Sequence, residues 1–373
     1  MYRAAALFAL ALLPHGAGAQ DLKLSGYYKN LLIGSETVVP AGLNDRYTLD
    51  LNRLRLELKG SLSEHVALDL QYDNEVLLGS YLHTEQFALQ NEERTSQYRK
   101  YGEGGSWYGR QRFYRAAVTF SAANTDVRVG RQRVAWGTGR FWDPVDLLNP
   151  VNPIALEREE RVGVDAVLAE HKLGPLSKIS AVYAPSHDGV ESSAALNWHA
   201  NAAGIDYSLI GGRFQNERVA GGAIATQLGG AGVRAELTRN VPDAAPTYGR
   251  ALFALDYAFP NTLTLSGELY YNGAGAADTA AYDFSALFAG RIQNVGRRYF
   301  GAYAGYEITP LLKWNNYLVH NLADRSHFYS PSLTFSLRAN VDFTVGAQFF
   351  GGHAGTEYAR FNDLYYAQLQ WFF

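Results

Sequence analysis

The chain has 373 residues, a net charge of −3, no cysteine and one methionine, the initiator. The near-neutral balance offers no basic field for a nucleic-acid partner. The missing cysteines exclude disulfides, thiolate metal sites, cysteine nucleophiles and attached c-type haem. Apolar residues make up 47% and aromatic residues 13%, while charged residues reach only 18%, below the usual quarter.

At the N-terminus, Arg3 precedes an apolar run from Ala4 to Leu13, and Ala17-Gly18-Ala19 supplies small residues before Gln20. This is the pattern of an export signal over residues 1–19, leaving 20–373 as a single domain. No later apolar run approaches the roughly twenty residues of a spanning helix. Segments of alternating hydrophobicity separated by turn residues, with abundant aromatics, instead describe a transmembrane antiparallel β-barrel. A secreted β-sandwich or propeller shares some of these features, but no tandem repeat beyond the hairpin rhythm supports a propeller.

A first strand runs from Leu22 to about Ile33. The cleanest follows: Leu54, Leu56 and Leu58 alternate with Arg53, Arg55, Glu57 and Lys59, placing leucines outside and charges toward a watery lumen. Its partner alternates Val66, Leu68, Leu70 and Tyr72 with Ala67, Asp69, Gln71 and Asp73, so Arg53 and Arg55 are expected to pair with Asp69 and Asp73. Gly79 to Gly109 reads as a long polar loop. A strand at Arg115 to Phe120 and a short turn lead to the strand that opens at Asp126.

The next stretch organises the chain. Between the strand Val127–Val129 and the strand Val162–Ala166 lies Ala135 to Glu160, with two tryptophans, a phenylalanine, three prolines and several charges but no strand pattern. Loops of such length in compact domains are functional or disordered, and these aromatics favour a loop folded into the barrel mouth. Arg131 and Arg133 share the parity of Val127 and Val129, which would aim them at lipid, where an arginine at mid-depth costs about 2–4 kcal/mol. A bulge at Gly130 that turns both toward the lumen is therefore expected.

Further strands follow near Ile179, Ala194, Ile205, Val233, Leu252, Leu263, Tyr299, Leu312, Ser332 and Asp342, with a weak Gly/Ala-rich one over Val219 to Leu228. The count is about 18, or 16 if weak strands are lost. The last segment alternates through Ala367, Leu369, Trp371 and the terminal Phe373. It resembles the assembly signal of bacterial outer-membrane proteins, which implies contact with the barrel-assembly machinery.

Gly130-Arg131-Gln132, Trp136-Gly137, Asp143-Pro144-Val145-Asp146 and Asn149-Pro150 together resemble a loose group of bacterial porin-like barrels, similar to alginate-export-like and related families. The resemblance implies a channel in the outer membrane of a Gram-negative bacterium. The expected function is passive diffusion of small hydrophilic solutes, anions among them, through a lumen constricted by residues 135–160. The alternative is an exopolysaccharide export channel working with periplasmic partners. Candidate pore-lining residues are Arg53, Arg55, Arg115, Arg128, Arg131, Arg133 and Arg140, with Trp136, Trp142, Asp143 and Asp146. Clustered arginines attract carboxylates or phosphates. The acids of the same loop, with Glu157, Glu159 and Glu160, also allow a neutralised network that fastens it to the wall, and Trp136, Phe141 and Trp142 suit loop packing or a slide for solutes.

His187-Asp188 with Ser192 and Ser193 is the nearest approach to a nucleophile and base, but it lacks the His-x-Asn-Gly-x-Ser order of barrel phospholipases. His65, His171, His199 and His320 have no metal-binding spacing. No enzyme activity, metal or cofactor is expected. The expected partners are outer-membrane lipid and a small solute, with homo-oligomer formation left open.

Overall fold

A computed structural model describes residues 21–39, 42–93, 98–161, 163–186, 190–288 and 292–373. The expected export signal, Val162 and the His187-Asp188 pair lie outside the described residues. In chain order the strands are β1 (Lys23–Glu36), β2 (Arg46–Ser63), β3 (Val66–Leu78), β4 (Arg99–Gly104), β5 (Trp107–Ala122), β6 (Thr125–Gln132), β7 (Val164–Gly174), β8 (Ser177–Ala184), β9 (Ser193–Ala202) and β10 (Ile205–Phe214). There follow β11 (Glu217–Leu228), β12 (Ala231–Pro242), β13 (Tyr248–Ala258), β14 (Thr264–Asn272), β15 (Arg298–Thr309), β16 (Leu312–Asn321), β17 (His327–Arg338), β18 (Val341–Gly351) and β19 (Leu364–Phe372). All pairings between named strands are antiparallel. β4 pairs only with β5, as a hairpin arm above the end of β6, so the closed wall has 18 strands.

Closure joins the two ends of the chain. β1 meets β19 from Tyr27 opposite Phe372 to Gly34 opposite Tyr365. Beyond that ladder, Gly26 N–H donates to the Phe373 carbonyl and Phe373 N–H to the Gly26 carbonyl, both at 3.0 Å. Every edge of the 18-stranded wall is thereby paired, the condition for a sheet to stand in lipid. The start of β1 and the end of β19 lie on the short-turn side. There Gly229-Gly230 connects β11 to β12 with φ of 56° and 85°, the left-handed pair a two-residue hairpin needs. The opposite end carries the long connections.

Side-chain alternation assigns the faces. Leu54 and Leu56 are exposed while Arg53 and Arg55 are buried inward, and Phe120, Leu209, Leu237 and Leu269 continue an exposed apolar exterior around the barrel. Such a belt is the surface of a barrel that faces lipid. Among the described residues no helix is long and apolar enough to cross a membrane.

Three expectations are corrected, and the expected count of 18 strands stands over its alternative of 16. Residues 79–109 are not a structureless loop: they hold a 3-10 turn at Ser80–His83, the helix α1 (Glu85–Glu93), β4 and the start of β5. The Gly/Ala-rich segment is the full-length β11, hydrogen-bonded on both sides, so 16 strands is excluded. Asp69 bonds Gln71, and Arg53 takes Glu75 instead, leaving Asp73 as the partner of Arg55. Finally, no bulge occurs at Gly130. The β6 register is continuous on both sides, so Arg131 keeps the outward parity and is neutralised there by a two-pronged pair with Asp165 at 2.9 and 2.7 Å. The bulge is on β5, where Tyr114 is the extra residue between the Tyr72–Phe113 and Gln71–Arg115 pairs. It lets both Arg112 and Arg115 face inward.

Gly130 nevertheless has φ of +119°, and a Cβ there would meet the Ala116 carbonyl oxygen at 2.1 Å. Gly130→Ala should destabilise the barrel by about 1–3 kcal/mol, read as a lower midpoint of urea unfolding in micelles. Gly211→Ala, where nothing lies within 4 Å, should leave it in place. Equal midpoints for both would show that the strain is absent.

Candidate functional site

Residues 133–161 leave the wall at the end of β6 and cross the lumen, and β7 resumes the wall at Val164. Two tight turns shape the crossing. Asp143-Pro144-Val145-Asp146 closes with Asp146 N–H on the Asp143 carbonyl (3.1 Å), and Asn152-Pro153-Ile154-Ala155 with Ala155 N–H on the Asn152 carbonyl (3.2 Å). Each has proline at the second position, where its fixed φ suits the turn. Irregular backbone of this kind leaves amides unpaired, and buried amides need acceptors.

The far wall supplies them. Glu236 on β12 accepts from Thr138 N–H (2.5 Å), the Thr138 hydroxyl (2.8 Å) and Val145 N–H (3.2 Å). Glu268 on β14 accepts from Arg140 N–H (2.6 Å) and Phe141 N–H (2.9 Å). Apolar packing completes the anchorage. Val134 and Val145 join a cluster with Leu168, Ile210 and Phe214, against which Trp136 packs. Phe141 and Trp142 join Leu252, Tyr299 and Phe328. Trp142 stacks on Tyr270 at 5.1 Å and 12°, and its indole N–H donates to Asn294. Trp136 and Trp142 are thus both in contact with buried apolar clusters.

The returning limb docks on β1–β5 through charge. Glu157 accepts from Lys29 (2.7 Å) and from both terminal nitrogens of Arg53 (2.8 and 2.9 Å); Glu160 accepts from Arg55 (2.9 Å) and the Tyr27 hydroxyl (2.8 Å). Behind them, Glu75 receives Arg53 and Arg110, and Asp73 receives Arg55 and Arg112. Five cations thereby share four carboxylates, each pair fastening loop to wall or strand to strand. Burial alone would raise the Glu157 carboxyl, but Arg53 and Lys29 outweigh it and hold it down at about 2.

Arg115 donates to the carbonyls of Tyr114 and Arg161, pinning the loop's exit. Arg128 faces inward near the short-turn end and bonds Thr119, away from the crossing. Arg133 is exposed just past the end of β6. Asp143 and Asp146 are nearly buried against Arg161 at 3.4 and 3.2 Å. The sequence reading missed Glu236, Glu268, Arg110, Arg112, Arg158 and Arg161. A lone charge on a lumen-facing strand position looks the same in sequence whether it is solvated or holds a loop.

One pair of cations is different. The Arg140 guanidinium lies 4.3 Å over the Tyr303 ring and that of Arg158 lies 4.0 Å over Tyr317, while the two tyrosine rings are 4.8 Å apart. Neither arginine has a carboxylate partner among the described residues. Arg140 Nε and Arg158 Nη2 are buried with no hydrogen-bond acceptor. Buried donors of this kind call for an acceptor.

Burial raises Asp143 to about 8, helped by Glu236 and Asp146 and opposed by Arg161; burial likewise raises Asp146 to about 7. Both are protonated in the docked loop at acidic pH, whereas in a released loop they ionise near the ordinary 3.8. The range from about pH 5 to about pH 8 lies above that in which Glu157 and Glu160 would be neutralised. Across it the contribution of Asp143 and Asp146 to docking is therefore strongest at the acidic end and falls as the pH climbs, levelling above about 8. Protease cleavage within 133–163 should increase from about pH 5 to about pH 8, and Asp143→Asn should flatten the rise. Cleavage that falls over the same range would contradict this.

No protein-family model matches the sequence, and no curated protein does either. Solved structures are similar in fold. OpdK of Pseudomonas aeruginosa, in its structure with vanillate, gives a TM-score of 0.61 at 11% identity, covering 95% of this chain and 99% of that one. The outer membrane protein OprD of the same organism gives 0.60 at 8% identity, covering 96% and 95%. OccAB1 of Acinetobacter baumannii gives 0.58 at 10% identity, covering 96% and 98%. None of the three carries the alginate-export resemblance. At these identities the likeness is one of architecture, and over nearly its whole length the chain has the 18-stranded barrel fold of outer-membrane porins.

Proposed function

We propose that this protein is an outer-membrane channel, exported by the signal over residues 1–19, through which small hydrophilic solutes diffuse past the crossing formed by residues 135–160. Its preferred solutes are carboxylates, and aromatic carboxylates suit it best. The observation that carries this reading is the Arg140–Arg158 pair, in which Arg140 Nε and Arg158 Nη2 are buried without acceptors, Arg158 Nε being taken by the Pro153 carbonyl, and both guanidinium planes lie on tyrosine rings. A guanidinium binds a carboxylate through two parallel hydrogen bonds, and the adjoining rings offer a face for an aromatic body. The wall arginines Arg53, Arg55, Arg110 and Arg112 are already neutralised and contribute little to anion choice. The vanillate in the OpdK structure is an aromatic carboxylate, in keeping with this substrate class.

Single-channel recording under a KCl gradient tests it. Wild type should be anion-selective, and Arg140→Gln with Arg158→Gln should lower the chloride-to-potassium permeability ratio by about threefold or more. Added benzoate should reduce the wild-type current and not that of the double variant. A cation-selective wild type, or folded protein that never opens, sinks the reading.

A further inference from the structure

The exterior of the barrel is not uniform. Between β9 and β13 the outward side chains shrink to Ala220 and Gly222, leaving a groove of about 740 Å³ bounded by Trp198, Leu209 and Leu237, with Arg239 at its loop-side end. Arg239 lies directly across from Ala220, and Arg213 directly across from Arg218 on the next pair of strands. All four residues share the outward parity, so three guanidiniums gather above one apolar trough.

Acid is scarce there. Asp243 (2.5 Å) and Glu191 (3.7 Å) both serve Arg213. Glu217, the nearest other carboxylate along the chain, bonds Asn240 and Tyr248. Arg218 and Arg239 have no carboxylate within salt-bridge distance among the described residues. Like charges directly across a strand pair are destabilising; Asp243 attracts Arg218 as well as Arg213, but among the described residues no carboxylate pairs with Arg218 or Arg239.

Depth identifies what does. Arg213 and Arg239 each lie nine residues beyond a short-turn glycine, Gly204 and Gly230. A tilted strand climbs about 2.5 Å per residue along the barrel axis, which puts both near the top of an apolar band about 25 Å tall. The guanidiniums therefore stand at the headgroup plane on the loop side, and the groove beneath them runs at acyl-chain depth.

We propose that this face binds a phosphorylated, multiply acylated glycolipid of the outer leaflet, a lipid A. One acyl chain fills the trough over Ala220 and Gly222, and a phosphate bridges Arg218 and Arg239. The assignment rests on the outer-membrane location proposed above.

Native mass spectrometry of the folded barrel in detergent, titrated with lipid A, dephosphorylated lipid A and phosphatidylglycerol, tests it. Lipid A should bind the wild type most tightly. Arg218→Gln with Arg239→Gln should weaken it about thirtyfold, and Ala220→Trp, which fills the trough and keeps the arginines, should weaken it independently. Equal binding by the double variant, or by the dephosphorylated lipid, overturns the proposal, and phosphatidylglycerol binding as tightly as lipid A overturns the choice of lipid. Conductance of the same preparations separates the two readings. Neither exterior variant should change it, so lipid binding by a barrel that never conducts would sink only the channel.

Discussion

Everything inside this barrel depends on finding acceptors for the amides of a segment that has no regular structure. A chain crossing a lumen cannot use a ladder, and its N–H groups cannot be left unpaired without a cost of about 1–3 kcal/mol each. Two wall carboxylates, Glu236 and Glu268, take hydrogen bonds from Thr138, Arg140, Phe141 and Val145. They hold the outgoing limb across the lumen and so decide where every other side chain of the loop can reach. A third buried carboxylate, Glu357, plays the same part between loops, accepting from Val295 N–H, the Tyr299 hydroxyl and Asn321.

The returning limb is held differently. Arg53 and Arg55 are close to fully buried, and an unpaired charge there would be prohibitive. The grid of Asp73, Glu75, Glu157 and Glu160 compensates them, and tyrosines cover the remaining faces: Tyr114 over Arg55 at 3.7 Å and Tyr98 over Arg110 at 4.0 Å. Half of this grid belongs to the wall and half to the loop, so removing either side leaves buried charge on the other. That mutual dependence makes the crossing part of the barrel's own stability.

Arginine therefore does three separate jobs in one chain. On β2 and β5 it is structural and neutralised. At Arg140 and Arg158 it is seated on aromatic rings with no carboxylate partner among the described residues. On the outer surface, Arg218 and Arg239 stand without a paired carboxylate among the described residues, above the apolar trough at Ala220 and Gly222. Composition cannot distinguish these roles; only the neighbours of each guanidinium do.

Much of the fold was legible from period-two alternation, because a strand's parity is local: Leu54 and Leu56 outside with Arg53 and Arg55 inside follows from sequence alone, as does the crossing loop from its lack of pattern. The number of strands was legible too, since even the Gly/Ala-rich β11 is bounded by turn residues. Parity fails where the register is set by a partner strand. The bulge at Tyr114, in place of one at Gly130, and the outward Arg131 held by Asp165 were decided by pairing across the sheet. The choice between a neutralised network and free arginines was likewise tertiary. Glu157 lies 104 positions from Arg53, and Glu268 lies 128 from Arg140, and only barrel closure brings such residues within hydrogen-bonding distance.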